Sequence, residues 1–134
     1  MLNYMALNWQ AILVATIAGF VLGGLWYGPV FGRAWADALG KRPEDIRPSP
    51  LPFIVSFITA LVTATVLALL IGGLGIVRVV DGTILGLVVG IGFIATAMGS
   101  DSAFCGWGLK LFLIQSGYRV TYSALMGAIL TWWR

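Results

Sequence analysis

The chain has no histidine and one cysteine, Cys105. These two shortages exclude disulfide frameworks, thiolate or imidazole metal clusters, and Cys–His or Ser–His catalytic pairs within one chain. Cys105, in "AFCGWG", has no cationic neighbour in sequence to lower its pKa and reads as a small packing residue. Charge is also scarce, at 10% of 134 residues. Five residues are acidic, and none falls within a long apolar run: Asp81 stands at the start of one and Asp101 in a polar stretch after it.

What remains is 60% hydrophobic, with a mean hydropathy of +0.98, far outside the range of ordinary soluble domains. The net charge of +3 does not point to nucleic acid, because the basic residues gather in one connector between apolar runs. Four runs stand out, at about 8–27, 52–74, 81–98 and 109–133. At about 1.5 Å per helical residue, each covers or nearly covers a hydrocarbon core of about 30 Å. Backbone amides in lipid must be satisfied within their own segment, and the alternation of barrel strands is missing. The expected fold is all-α: a polytopic four-transmembrane-helix bundle, one membrane domain over residues 1–134.

The first run has no Lys or Arg before it and no small-x-small cleavage site before "LWYGP", so it is expected to be a retained helix. The 32–51 loop carries Arg33, Lys41, Arg42 and Arg47, against Arg78 alone in the next connector. This asymmetry predicts a cytoplasmic first loop, both termini outside, and a third loop, "GSDSAFCGWG", back on the cytoplasmic side; Arg134 counts against it. Trp9, Trp132 and Trp133 are expected at the outer boundary, and Trp26, Tyr27, Phe53 and Trp107 at the inner one. In "VFGRAWADALG", Phe31, Trp35 and Leu39 share one helical face and Arg33, Asp37 and Lys41 the other, which predicts a short interfacial helix. The proline-dense "KRPEDIRPSPLP" after it breaks helix.

Helices in lipid associate through small residues and interhelical hydrogen bonds. Candidate packing positions recur at four-residue spacing: Gly19 and Gly23; Ala60 and Ala64; Gly82, Gly86 and Gly90; Ala124 and Ala128. These stripes suit a compact bundle, and either close the monomer or leave surface for a homo-oligomer or a larger membrane complex.

The last run holds a permanent charge. Its nine Leu, Ile, Phe and Val residues supply only about −3 to −5 kcal/mol of insertion free energy, and Arg119 alone costs about +2.5 to +3.5 kcal/mol. The helix is marginal by itself, so its polar side should face protein. Gln115, Arg119, Tyr122 and Met126 follow one side with Ser123 beside them. Lys110 marks the inner boundary, and nine residues of helix put Arg119 roughly 13 Å deeper, beyond comfortable snorkelling reach. Gln115, Arg119, Tyr122 and Ser123 therefore form a candidate polar-clamp or anion site. The guanidinium is met by carbonyls, by hydroxyls such as Thr59, Thr63 or Tyr27, by an inward-folded Asp101, or by an anion from outside the chain.

"LGGLWYGPVFGRAW" (22–35) and "GYRVTYSALMGAILTWW" (117–133) resemble two motifs of the small bacterial integral membrane proteins of the domain of unknown function 1761 family. The resemblance implies a four-helix protein of the bacterial cytoplasmic membrane and carries no established activity. It draws attention to Trp26, Tyr27, Pro29, Phe31, Gly32 and Trp35, and to Gly117, Tyr118 and Arg119. Pro29 is expected to end or kink the helix after Gly28, which makes the first motif an elbow rather than an active site.

The expected function is non-enzymatic: a structural or accessory membrane subunit, with membrane lipid and other membrane chains as partners, no nucleic acid and no cofactor. The alternative is a transporter or channel for an anionic solute, with Arg119 and Gln115 lining its path. A lipid-directed enzyme lacks a nucleophile and base, since Asp101 with Ser100 or Ser102 is explained as a helix cap or turn.

Overall fold

The computed structural model describes residues 4–46 and 49–133. Helix α1 (Trp9–Leu25) starts at Asn8, whose side chain accepts the Ala11 N–H at 3.1 Å. It widens into one π-helical turn, Trp26–Val30, where the Phe31 N–H reaches back five residues to the Trp26 carbonyl. Pro29 sits inside this turn. The helix is therefore prolonged past Gly28, and the elbow comes at Phe31, two residues after the expected break. Helix α2 (Gly32–Leu39) follows and stops at Gly40, whose φ of 72° is the left-handed conformation that closes helices without a Cβ penalty.

After a 3-10 turn at Pro43–Asp45 comes α3 (Pro50–Gly73), with proline in its first turn. Helix α4 (Val79–Val89), a π segment (Gly90–Ala95) and α5 (Thr96–Cys105) make one continuous rod. The stretch "GSDSAFCGWG", expected as a loop, is mostly the end of this rod. Its Ser and Asp mark where the side chains turn polar, and the helix itself stops only at Gly106, with φ 70°. Cys105 is exposed on that last turn and is not a packing residue. Helix α6 (Gly108–Trp132) completes the chain. No strand occurs among the described residues.

Three helical stretches are long and apolar enough to cross a membrane: Trp9–Val30, Pro50–Gly73 and Val79–Cys105. Helix α6, at 25 residues, is equally long but more polar. It is also the most enclosed. Ten of its residues are buried, against five in α1, four in α3 and two in α4. Helices α1 and α3 pack on one side of α6, and the α4–α5 rod packs on another. The least apolar of the long helices thus occupies the centre, with the more apolar ones packed around it.

The α4–α6 contact is made by backbone. A Cβ at Gly82 would overlap Thr131 Oγ1 and the Gly127 carbonyl, and one at Gly86 would overlap the Ser123 carbonyl and crowd Ala124. One at Gly90 would fall 2.9 Å from Val120 Cα. On the α1 side, Gly19 lies against Met126 and Tyr122, and Gly23 against the Tyr118 hydroxyl. Ala60 and Ala64 are buried on α3, whereas Ala128 is only half-buried. The glycine stripe of α4 is therefore used within the chain.

Trp9 and Trp132, expected at the outer boundary, are exposed at one end of the bundle. Trp26 and Tyr27, expected at the other boundary, pack on Tyr118. Arg47 and Arg134, which entered the charge asymmetry, lie outside the described residues.

Replacing Gly86 by Val should destabilise the fold by about 2–4 kcal/mol, because backbone on both sides must yield. Gly92→Ala, which meets nothing within 4 Å, should shift stability by less than about 0.5 kcal/mol. Denaturation in mild detergent measures both; equal effects would contradict the packing described.

Candidate functional site

Arg119 is the twelfth of the 25 residues of α6, so its Cα lies about 16 Å from one helix end and about 20 Å from the other. Its side chain is partly buried. The guanidinium carbon stands 5.2 Å from the centroid of the Tyr118 ring and 5.3 Å from that of Tyr122. Both distances are within cation–π range, where a desolvated pair contributes about 2 kcal/mol. One N–H, on Nη1, also donates to the Tyr122 hydroxyl at 3.3 Å, the long end of hydrogen bonding.

The two tyrosines are fixed from neighbouring helices. The Tyr118 hydroxyl donates to the Gly19 carbonyl of α1 at 2.8 Å, and the missing side chain of Gly23 makes room for it. The Tyr122 hydroxyl lies 3.3 Å from Thr63 Oγ1 of α3, and Thr63 donates to the Thr59 carbonyl. Arg119 is thereby linked to α1 and α3 through the two tyrosines of its own helix. Of the hydroxyls expected to meet it, Thr63 is linked to it through Tyr122.

A ladder of aromatic rings continues from the arginine to α2. Tyr118 and Tyr27 pack edge-to-face at 5.4 Å between centroids, and Tyr27 and Trp35 at 4.9 Å. Trp26 packs against Phe31 with centroids 4.6 Å apart and rings tilted by 45°, and donates its indole N–H to the Ile114 carbonyl at 2.9 Å. A Cβ on Gly117 would come within 3.1 Å of the Trp26 ring, so this glycine is the seat of that indole. The elbow residues Trp26, Tyr27, Phe31 and Trp35 and the Gly117–Tyr118–Arg119 motif are thus one assembly, although about ninety residues separate them in sequence. Trp35 Nε1 is buried without a hydrogen-bond partner among the described residues.

Of the candidate residues, Arg119 and Tyr122 are brought together and Ser123 is turned away. Its hydroxyl donates to the Arg119 carbonyl at 2.8 Å, and its backbone faces Gly86. No hydrogen bond joins Gln115 to Arg119 among the described residues. Asp101 does not fold inward: it is exposed on α5, and its helix passes α6 at the level of Phe112. Tyr118 is the residue that side-by-side reading of α6 missed. It precedes the arginine by one position, off the four-residue stripe, and joins it because the guanidinium bends across the ring.

Only two ion pairs occur among the described residues, and neither includes Arg119. Arg78 and Asp81 are 3.9 Å apart at one end of the bundle. Lys110 and Asp37 join α6 to α2 at the other, at 2.5 Å. The hydrogen bond from Lys110 and its positive charge hold the Asp37 carboxyl below the usual carboxylate range. No cluster of three or more Cys, Asp or Glu that could hold a metal occurs among the described residues. Surface concavities of about 430 and 350 Å³ lie at the α5–α6 turn and beside Asn8 at the opposite end, away from Arg119.

Tyr122→Phe should cost about 1–2 kcal/mol of stability, since it removes the acceptor for Arg119 and the partner of Thr63; Thr63→Val should cost less. Thermal unfolding in bicelles measures this, and a neutral Tyr122→Phe would contradict the clamp. The Asp37 pKa is depressed in the folded chain, so its contribution is present above the unfolded value of about 3.9 and is lost as pH falls through the folded value. Titration by NMR should show the Asp37 carboxyl moving up toward the ordinary range in Lys110→Gln; an unmoved midpoint would contradict the pairing.

No curated protein and no solved structure matches the chain. A family model described as "Protein of unknown function (DUF1761)" matches residues 10–131. That span takes in the first motif whole and the second up to Thr131, including the aromatic residues that meet around Arg119, and the chain belongs to this family.

Proposed function

We propose that this chain is a non-enzymatic membrane subunit of four crossing helices that works through helix packing, with Arg119 as an intramembrane polar clamp. The observation that carries this reading is the surroundings of Arg119. The groups that meet it are two tyrosines, with a threonine behind them, and no carboxylate, thiol or metal cluster accompanies them among the described residues.

Membrane crossing by α6 is supported by its two neighbours. Both the Trp9–Val30 and Val79–Cys105 rods are long and apolar enough to span, and α6 runs along both. Asn8, before α1, donates to the Trp133 carbonyl at one end; Lys110 pairs with Asp37 at the other. Arg33, Lys41, Arg42 and Lys110 then share the end that carries α2, against Arg78 at the opposite end. The positive-inside tendency makes that end cytoplasmic, α2 a helix lying at the inner surface of a cytoplasmic membrane, and both termini external.

Less than a third of each apolar span is buried within the chain, which leaves wide apolar faces for lipid and for other chains. Crosslinking in native membranes, followed by native mass spectrometry in mild detergent, should find a defined assembly with itself or another membrane protein. A strict monomer under every mild condition would contradict the proposal.

A further inference from the structure

The guanidinium of Arg119 carries five N–H donors, and one of them has a hydrogen-bond partner among the described residues. The rings of Tyr118 and Tyr122 attract the charge without neutralising it. A full charge at mid-helix thus remains uncompensated in a region where an unpaired charge is costly.

The chain cannot supply its own counter-ion. Its five acidic residues are Asp37, Glu44, Asp45, Asp81 and Asp101. Asp37 belongs to α2, Glu44 and Asp45 to the connector, and Asp81 to the first turn of α4. Asp101 comes nearest. Gly99 faces Phe112, so the antiparallel rod puts Asp101 beside Lys110, roughly 13 Å along the axis from Arg119. A second copy, parallel or antiparallel, carries the same carboxylates near its ends and is equally unable to meet the arginine at its own depth. A lipid phosphate lies outside the hydrocarbon and faces the same separation.

We infer that Arg119 is the docking point for a different membrane protein, one whose transmembrane helix carries an Asp or Glu near the middle of the bilayer. The planar guanidinium suits a two-oxygen carboxylate, and Tyr122, held by Thr63, fixes its orientation. The partner helix also covers apolar surface left open by α1 and α3. This inference rests on the reading of the chain as a packing subunit and names the chemistry of what it packs against.

The test uses the full chain in liposomes with a labelled leucine–alanine transmembrane peptide bearing one central Glu. Peptides with a central Gln, or with the Glu moved two turns toward an end, serve as comparisons, and association is read by energy transfer. The central-Glu peptide should associate about fivefold or more tightly than either. Arg119→Gln should abolish the difference while circular dichroism and elution in detergent stay unchanged. Arg119→Lys, which keeps the charge and loses the planar fork, should retain part of it.

Equal association of the Glu and Gln peptides with the wild-type chain would overturn the inference, and needs no variant that might misfold. A Glu preference that survives Arg119→Gln would also overturn it. So would protection of Arg119 by inorganic phosphate or anionic-lipid vesicles without a Glu preference, which would assign the site to a free or lipid-borne phosphate. A defined self-assembly that ignores the Glu peptide would overturn this inference and leave the packing-subunit reading standing.

Discussion

A guanidinium cannot give up its charge, and Arg119 stands near the middle of a helix about 37 Å long, where the groups that meet it are uncharged. Everything around Arg119 follows from that constraint. The helix that carries it is the least able to face lipid, so it takes the centre while three apolar rods take the outside. In the absence of an acid at its depth, the chain surrounds the charge with what its composition offers: the faces of Tyr118 and Tyr122 and one hydroxyl acceptor. Each tyrosine is then tied to a different neighbouring helix, through Gly19 on α1 and Thr63 on α3. The arginine's surroundings and the three-helix core are therefore one set of contacts.

Two local departures from regular helix flank this region. The π turn Trp26–Val30 starts at Trp26 and Tyr27, which lie beside Ile114, Gly117 and Tyr118. The π segment Gly90–Ala95 begins where Gly90 touches Val120, the residue after the arginine. Such wide turns inside helices often accompany functional positions, and both here border the same depth of α6. The glycine stripe of α4 has the complementary role, letting its backbone close on Ser123 and Gly127 so that the opposite side of α6 is sealed.

Much of this was legible in the residues. Apolar run length gave the long helices, the four-residue spacing marked Gly82, Gly86 and Gly90 as packing positions without naming the helix they meet, and the insertion cost of Arg119 required the polar side of α6 to face protein. What escaped was geometry that depends on contacts between distant segments. Trp26 and Tyr27 suit a membrane boundary by composition, and their contacts with Ile114 and Tyr118, about ninety residues away, leave no trace in local sequence. Asp101 and its serine neighbours suit a loop, but polarity marks the exit from apolar surroundings rather than the end of a helix, which waited for Gly106. Tyr118 lay outside the four-residue stripe because that spacing describes Cα positions. A long arginine side chain reaches across to its neighbour's ring, which spacing does not capture.

The most direct test of the central claim is a solid-state NMR measurement on the chain in lipid bilayers, with arginine labelled at Cζ and tyrosine on the ring. The Arg119 signal is identified by its disappearance in Arg119→Lys. The account predicts contacts from its Cζ to the rings of Tyr118 and Tyr122 and no dipolar dephasing by lipid phosphorus. Strong dephasing by phosphorus, with no tyrosine contact, would mean that the side chain climbs to the headgroups, and would contradict the account.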